Sequence, residues 1–162
     1  MSDGVADHLG VAEEMLATAK LTADHGDHRT AADRLYFSML HAATALLLAD
    51  GIETRSHGRL IAEFGARYAR TRKLDPVHHR RLMEAFERRQ LADYDASAVF
   101  DPDDIEDAIA GAREFLSAIR AQIAARGSLG AGGDFDPEEF NPDATNEAMA
   151  ITRSPWNRPP TR

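Results

Sequence analysis

The chain contains no cysteine among its 162 residues. This absence excludes disulfide bonds and thiolate metal sites, and it suits the reducing cytoplasm. The first residues, Met1-Ser2-Asp3-Gly4, lack the basic and apolar regions of a secretory signal. The longest rich apolar run, residues 42–49, is interrupted by Thr44 and is too short to span a bilayer. We therefore expect a soluble cytoplasmic protein without membrane segments.

Several sequence patterns that accompany ligand binding or catalysis are also missing. The glycine-rich residues 130–133 have no strand before them and no Lys-Ser/Thr after them, so they are not a phosphate-binding loop. No Ser-His-Asp or Cys-His arrangement follows from the spacing of residues. His25 lies close to His28, and His78 adjoins His79, but adjacent histidines point in different directions on a helix. We predict neither a metal site nor a cofactor.

No segment shows the alternation of a strand, whereas helical periodicity is present almost throughout the first 126 residues. Five helices are predicted: about 3–24, about 27–49, from Ser56 to about 71, from Asp75-Pro76, and from Asp101-Pro102. The second of these is apolar nearly all round and is expected to be the most buried. The pattern predicts an all-α, antiparallel four-to-five-helix bundle over residues 1–126.

The composition changes at residue 127. Residues 127–133 are rich in glycine, and five of the seven prolines lie further on. We predict a flexible tail over residues 127–162 that is disordered on its own. Phe135, Phe140 and Trp156 are unusual in such a tail, where they are either short binding motifs or residues without a role.

Basic side chains are concentrated in one part of a chain whose net charge is −8. Residues 55–89 carry ten basic and four acidic side chains, an excess of six positive charges, and we call this segment the basic block. It is either a solvated helix face, a patch that meets an acidic partner, or an RNA-binding surface. Arg80, Arg81 and Arg88 are candidate binding residues, together with Arg34 of the second helix.

The fourth helix carries an arginine and a carboxylate where its apolar face should continue. Leu82 and Phe86 lie one turn apart, and the same face then reaches Arg89 and Asp93 at i, i+4 spacing. Charged groups in such a position must be paired or must line a cleft. We expect Arg89 to contact Asp93, either as a structural ion pair or as part of a functional site.

Polar residues also follow one line along the second helix. Arg34, Ser38 and His41 recur at i, i+4 and i+7 on a largely apolar helix. Each can be satisfied by a neighbouring backbone or side chain. If the line faces the Arg–Asp pair of the fourth helix, these residues together form a buried polar cluster. His57 is a further candidate, with a hydrogen-bonding role at the start of the third helix as the alternative.

Together these segments resemble a HEPN domain. The resemblance rests on residues 31–43, on Ser56-His57-Gly58, and on Arg89-Gln90-Leu91-Ala92-Asp93-Tyr94, which matches the Arg-x-x-Ala-Asp-Tyr signature of a small bacterial and archaeal branch. It covers about residues 8–125. It implies a HEPN-like helical bundle that commonly forms a homodimer. Many HEPN proteins are metal-independent ribonucleases of toxin–antitoxin, phage-defence or CRISPR systems, and many are paired with a minimal nucleotidyltransferase antitoxin. Other HEPN proteins are non-catalytic.

The ribonuclease motif that the resemblance implies is incomplete in this chain. In the family an arginine is followed, after four to six residues, by a histidine. Arg88 or Arg89 supplies the arginine, but Asp93, Tyr94 and Asp95 occupy the positions downstream. Cleavage of RNA without a metal needs an acid or base that titrates near neutral pH, which imidazole provides. A carboxylate beside a guanidinium is a poor proton donor at that pH.

Arg89, Asp93 and Tyr94 are therefore the candidate catalytic residues, and His41 or His57 contributes only if the fold places one beside Arg89. The preferred hypothesis is a non-catalytic or weakly catalytic component that binds RNA or a protein partner in a toxin–antitoxin or defence system. The alternative is an active endoribonuclease toxin paired with a nucleotidyltransferase antitoxin. A helical bundle with no role in nucleic-acid binding is a third.

The resemblance also implies a second role for Tyr94. Related HEPN toxins carry a tyrosine just after their motif that a partner transferase nucleotidylates. The competing and favoured interpretation is a tyrosine that packs against its neighbours and forms a hydrogen bond.

Overall fold

The computed structural model describes residues 2–128, which form five α-helices and contain no strand. The helices are α1 (Asp3–Asp24), α2 (His28–Ala49), α3 (His57–Phe64), α4 (Pro76–Tyr94) and α5 (Pro102–Ser128), and a π-helical turn, Gly65–Ala69, continues α3. The predicted all-α bundle is confirmed. Apart from residues 127 and 128, which belong to α5, the predicted tail lies outside the described residues. None of the described helices is both long and apolar enough to cross a membrane.

The helices begin where the capping residues of the sequence predict. The Asp75 carboxylate accepts a hydrogen bond from the backbone N–H of Val77 at 2.9 Å, ahead of the proline that opens α4. Asp101 accepts one from the N–H of Asp103 at 2.8 Å at the start of α5. Ser56 caps α3. These side chains satisfy N–H groups that have no acceptor within the helix, and so they fix where each helix starts.

Helix α2 is the centre of the bundle. It packs against α1, α3, α4 and α5. Twelve of its 22 residues are buried, among them Tyr36, Leu46 and Leu47. The prediction that this helix is central is confirmed, and it has more buried residues than any other described helix. Each helix that contributes to a site is positioned against it.

The third predicted helix differs from the observed one. The sequence predicts one helix up to about residue 71, whereas α3 ends at Phe64 and the wider π-helical turn follows. Two contacts accompany this change. Gly65 has no side chain, and the ring of His79 occupies the space beside it. Tyr68, fully buried, donates its hydroxyl proton to the carboxylate of Asp50 at the end of α2.

Candidate functional site

Arg89 of α4 lies between two carboxylates. Its Nη2 is 3.1 Å from Oδ2 of Asp93, so the predicted contact within the helix is confirmed. Its Nε is 3.5 Å from Oδ1 of Asp33 on α2. The guanidinium carbon lies 5.1 Å from the ring centre of Phe37 and 5.5 Å from that of Tyr36. Both charge and aromatic contacts therefore hold Arg89 against α2.

Asp33 connects this pair to a second arginine. Its Oδ2 lies 3.4 Å from Nη2 of Arg34, so the carboxylate faces two guanidinium groups. Arg34 also places its Nη1 3.5 Å from the sulfur of Met15 on α1. The four charged residues Arg34, Asp33, Arg89 and Asp93 thus form one continuous network from α1 to the end of α4.

The remaining members of the polar line on α2 point elsewhere. The Ser38 hydroxyl donates to the carbonyl of Ala12 at 2.7 Å, and Nδ1 of His41 lies 2.8 Å from Nδ1 of His8. Both partners belong to α1. Ser38 and His41 therefore pack on α1, whereas Asp33 and the rings of Tyr36 and Phe37 face α4. The hypothesis that the whole line joins Arg89 and Asp93 is wrong.

The imidazole ring of His57 lies against the same two aromatic rings that contact Arg89. Its ring centre lies 6.0 Å from that of Tyr36 and 6.4 Å from that of Phe37, edge to face in both cases. Among the described residues no hydrogen bond joins His57 to Arg89. The fold thus places His57 near Arg89. The two side chains do not hydrogen-bond to each other, but both contact the rings of Tyr36 and Phe37.

Tyr36 has an unusual position in this group. Its side chain is fully buried, and neither its hydroxyl nor Nε of Arg89 makes a hydrogen bond within residues 2–128. Burial raises the pKa of Tyr36 to about 12, although the nearby Arg89 charge opposes the change. The phenol is therefore neutral at physiological pH and is a potential hydrogen-bond donor rather than a base.

Tyr94 ends α4 and points into solvent. Its side chain is 82% exposed, so the favoured interpretation of a packed tyrosine is wrong. Asp93, one residue earlier, has a side chain that is 37% exposed. Val99, in the connection to α5, is 90% exposed. Two large exposed side chains thus lie close together in sequence, shortly after Asp93 of the charged network.

Arg29 fixes the connection between α4 and α5, a role that no sequence pattern predicted. Its guanidinium donates to backbone carbonyls of Ala92, Asp95, Ala96 and Ala98. It also lies 5.6 Å from the ring centre of Phe100. The available signal was its place in the first turn of α2, where the helix dipole disfavours a cation that has no other partner.

The basic block divides into exposed and paired arginines. Arg80 is exposed and lies 3.9 Å from the carboxylate of Glu84. Arg81 forms a 2.7 Å ion pair with Glu114 of α5. Arg88 lines a groove of about 320 Å³ between α4 and α5. Exposed basic side chains are also present at the start of α3 and in the turn before α4, at positions 55, 59, 70, 72 and 73.

The described residues contain no group of three or more histidine, aspartate or glutamate side chains that could hold a metal ion. Two of the four histidines considered for such a site contact backbone carbonyls, whereas Nδ1 of His78 has no hydrogen-bond partner within residues 2–128. His79 places Nε2 3.2 Å from the carbonyl oxygen of Ile61. His25 places Nδ1 2.8 Å from that of Leu21.

Comparison with known proteins gives one family. Residues 5–122 match the model of the HEPN domain. A UPF0332 protein of Thermotoga maritima is 30% identical over 112 residues, which are 69% of this chain and 85% of the relative. The UPF0332 protein PH1297 of Pyrococcus horikoshii is 34% identical over 87 residues, or 54% of this chain and 61% of the relative. The "Putative toxin MJ0605" of Methanocaldococcus jannaschii is 29% identical over 86 residues, or 53% of this chain and 64% of the relative.

Proposed function

Because the chain belongs to the HEPN family, we propose that it is an RNA-binding component of a toxin–antitoxin or defence system with little or no ribonuclease activity of its own. Two relatives in Methanocaldococcus jannaschii bear names that describe them as toxins, which supports a toxin-like role. The observation that carries the non-catalytic part is the engagement of Arg89. Two carboxylates pair with it and two aromatic rings contact it, which supports a structural rather than a catalytic role.

RNA binding is proposed for the exposed arginines of the basic block. A fluorescently labelled single-stranded RNA titrated with the full chain should bind with an affinity that falls steeply as salt rises, by a slope of roughly 0.7 per phosphate contact. The substitution Arg80→Ala should weaken binding and lower that slope. Arg120→Ala removes an exposed arginine outside the block and is the matched control. Absence of binding, or binding that ignores salt, would contradict RNA recognition at this surface.

A protein partner is proposed for the end of α4. The clamp by Arg29 holds the connection in one conformation while Tyr94 and Val99 remain exposed, so the loop is preorganised for contact. We infer that a nucleotidyltransferase antitoxin docks here and modifies Tyr94. The phenol oxygen attacks the α-phosphate of a nucleoside triphosphate, pyrophosphate leaves, and the phenolic proton passes to solvent or a base of the transferase. Intact mass after co-expression should rise by one nucleotidyl group in the wild type and not in Tyr94→Phe.

A homodimer is also proposed, on the basis of family membership. Light scattering coupled to size-exclusion chromatography measures the mass in solution. A mass of two chains supports the proposal, and a mass of one chain at high protein concentration opposes it.

The second candidate function is a ribonuclease that uses Arg89 with His57. The observation in its favour is that both residues contact the rings of Tyr36 and Phe37. On this hypothesis the His57 imidazole takes the proton from the ribose 2′-hydroxyl. The 2′-oxygen attacks the adjacent phosphate to form a 2′,3′-cyclic phosphate, and the departing 5′-oxygen takes a proton from solvent or from the imidazolium. Cleavage by the wild type that is lost in His57→Ala, with the fold retained, would favour this candidate over the first.

A further inference from the structure

A cavity of about 510 Å³ lies beside His57, between α1, α2 and the start of α3. The cavity is separate from the charged network, although Phe37, whose ring contacts Arg89, is part of its lining. Its apolar lining consists of Phe37, Leu40, Leu47, Leu48, Ile52 and Leu60. A volume of this order is typical of a site for a small organic group, and the mixture of apolar floor and polar rim is typical as well.

Two histidines at the rim of the cavity are hydrogen-bonded to each other, so that one offers a hydrogen-bond donor to a ligand and the other offers an acceptor. His8 and His41 both line the cavity, and their Nδ1 atoms lie 2.8 Å apart. When both rings are neutral, one Nδ1–H donates to the other Nδ1, so one ring has a protonated Nε2 and the other has a free lone pair at Nε2. Burial, together with the charges of His8 and His57, lowers the pKa of His41, which favours the neutral form of that ring.

The mouth of the cavity has groups that suit an anion. Arg55 lines it and is exposed, and the carboxylate of Glu53, which also lines the cavity, offsets part of its charge. The first turn of α3 begins there at His57, and N–H groups in the first turn of a helix lack acceptors within the helix and favour a negative charge. The ring of His57, edge-on to Phe37, completes an aromatic wall.

We propose that this cavity binds one unstacked base of single-stranded RNA, with the adjacent phosphate beside Arg55. The inference rests on the proposed RNA binding and names the site that reads the RNA. A nucleobase is a flat heteroaromatic ring with a donor and an acceptor on one edge, which matches the aromatic wall and the two histidines. Its phosphate matches the charge at the mouth. The proposed base site is separate from the surface around Arg80, because it is formed by α1, α2 and α3, whereas Arg80 lies on α4.

The test uses the full chain and a single-stranded RNA decamer that carries 2-aminopurine at a central position and a fluorescent label at one end. Anisotropy of the label reports binding, and 2-aminopurine fluorescence reports unstacking of the base. Both signals should rise with the wild type. In His41→Leu the 2-aminopurine signal should be lost and affinity should fall by roughly tenfold, the size expected when one hydrogen-bond partner of the base is removed.

Two matched control variants distinguish an effect at this site from the general effect of removing a positive charge or a histidine. Arg120→Ala removes the same charge as Arg55→Ala from an exposed position that lies outside the basic block and does not line the cavity. His25→Leu replaces an exposed histidine of the α1 C-terminus. Only Arg55→Ala and His41→Leu should reduce the 2-aminopurine signal. Arg55 is exposed, so its substitution keeps the test valid if His41→Leu does not fold, which far-UV circular dichroism checks.

The remaining outcomes each overturn a stated part. If anisotropy rises while 2-aminopurine fluorescence does not change, RNA binding stands and the base site is wrong. If the control variants lose the signal equally, the base site is also wrong. A titration with AMP, followed by the histidine ring signals in NMR spectra, distinguishes the source of the ligand. Shifts of His8 and His41 with AMP but no RNA binding would refute an RNA ligand, and no response to either would refute both the site and the proposed function.

Discussion

Asp33 of α2 holds the side chain of Arg89 from across the bundle, with Oδ1 3.5 Å from Nε and both side chains about three-quarters buried. The carboxylate thus ties the last turns of α4 to the central helix. It also places the guanidinium over the ring of Phe37. An ion pair within α4 alone, between Arg89 and Asp93, would not provide this connection between helices.

The substitution Asp33→Asn should therefore destabilise the bundle more than Asp93→Asn. We expect a loss of about 1 kcal/mol for Asp33, because it faces two guanidinium groups and is partly buried, and about 0.4 kcal/mol for Asp93. Urea denaturation of the two variants, and of each combined with Arg89→Met, measures these values as a double-mutant cycle. A larger effect at Asp93 would show that the contact within the helix is the important one.

The clamp at Arg29 should be needed for the connection between α4 and α5. Arg29→Lys keeps the charge but cannot donate to several carbonyls at once, so we expect a loss of about 2 kcal/mol. Amide hydrogen exchange of residues 95–100 should become faster. Arg120→Ala, which breaks an exposed ion pair with Glu13, serves as the control and should change stability by less than about 0.5 kcal/mol. Unchanged exchange in Arg29→Lys would mean that the loop holds its conformation without the clamp.

The contrast between these residues shows what the sequence predicts and what it does not. The contact between Arg89 and Asp93 follows from helical spacing, and the starts of α4 and α5 follow from Asp-Pro pairs, because these are local interactions. The carbonyls that Arg29 contacts lie 63 to 69 residues away. Such partners depend on how the helices pack, and helical periodicity does not specify which side chain of one helix meets which backbone group of another.

The same distinction applies to the candidate histidines. His41 lies on the polar line of α2, but periodicity alone did not determine whether that line faces α1 or α4. The answer depends on which neighbour fills each side of α2, and His8 of α1 is the residue that meets His41. Burial of the phenol of Tyr36 beside Arg89 was unpredicted for the same reason.

Gly65 should not tolerate a side chain. A Cβ placed there would lie 2.5 Å from Nε2 of His79, whose ring is held by the carbonyl of Ile61 and stacks on Phe64. We expect Gly65→Ala to lower the free energy of unfolding by about 1–3 kcal/mol. Gly10→Ala, in α1 with open space around it, should instead raise it by about 0.5–1 kcal/mol. Thermal or urea denaturation distinguishes the two. Equal effects of the same sign would show that the close approach of His79 does not matter.

Stability should fall as the solution is acidified through the range of histidine titration. Burial lowers the pKa of His41, His78 and His79 below the ordinary value of 6.5. Below that value the unfolded chain binds more protons than the folded one, so the free energy of unfolding decreases as pH falls from about 6.5 through the lower folded pKa values. Urea denaturation at several pH values between about 7 and 5 measures the slope, which His79→Gln should reduce. A stability that is constant or increases on acidification would contradict this assignment.

The measurement that tests the central claim most directly is RNA cleavage by the wild type and by Arg89→Ala, with excess protein and a labelled single-stranded RNA. If Arg89 is a structural residue, neither protein should cleave the RNA measurably faster than buffer does. Circular dichroism establishes that the variant is folded, and Arg120→Ala controls for the loss of a positive charge outside the basic block. Robust cleavage by the wild type that Arg89→Ala abolishes while folded, and that Arg120→Ala retains, would contradict the account and make Arg89 a catalytic residue.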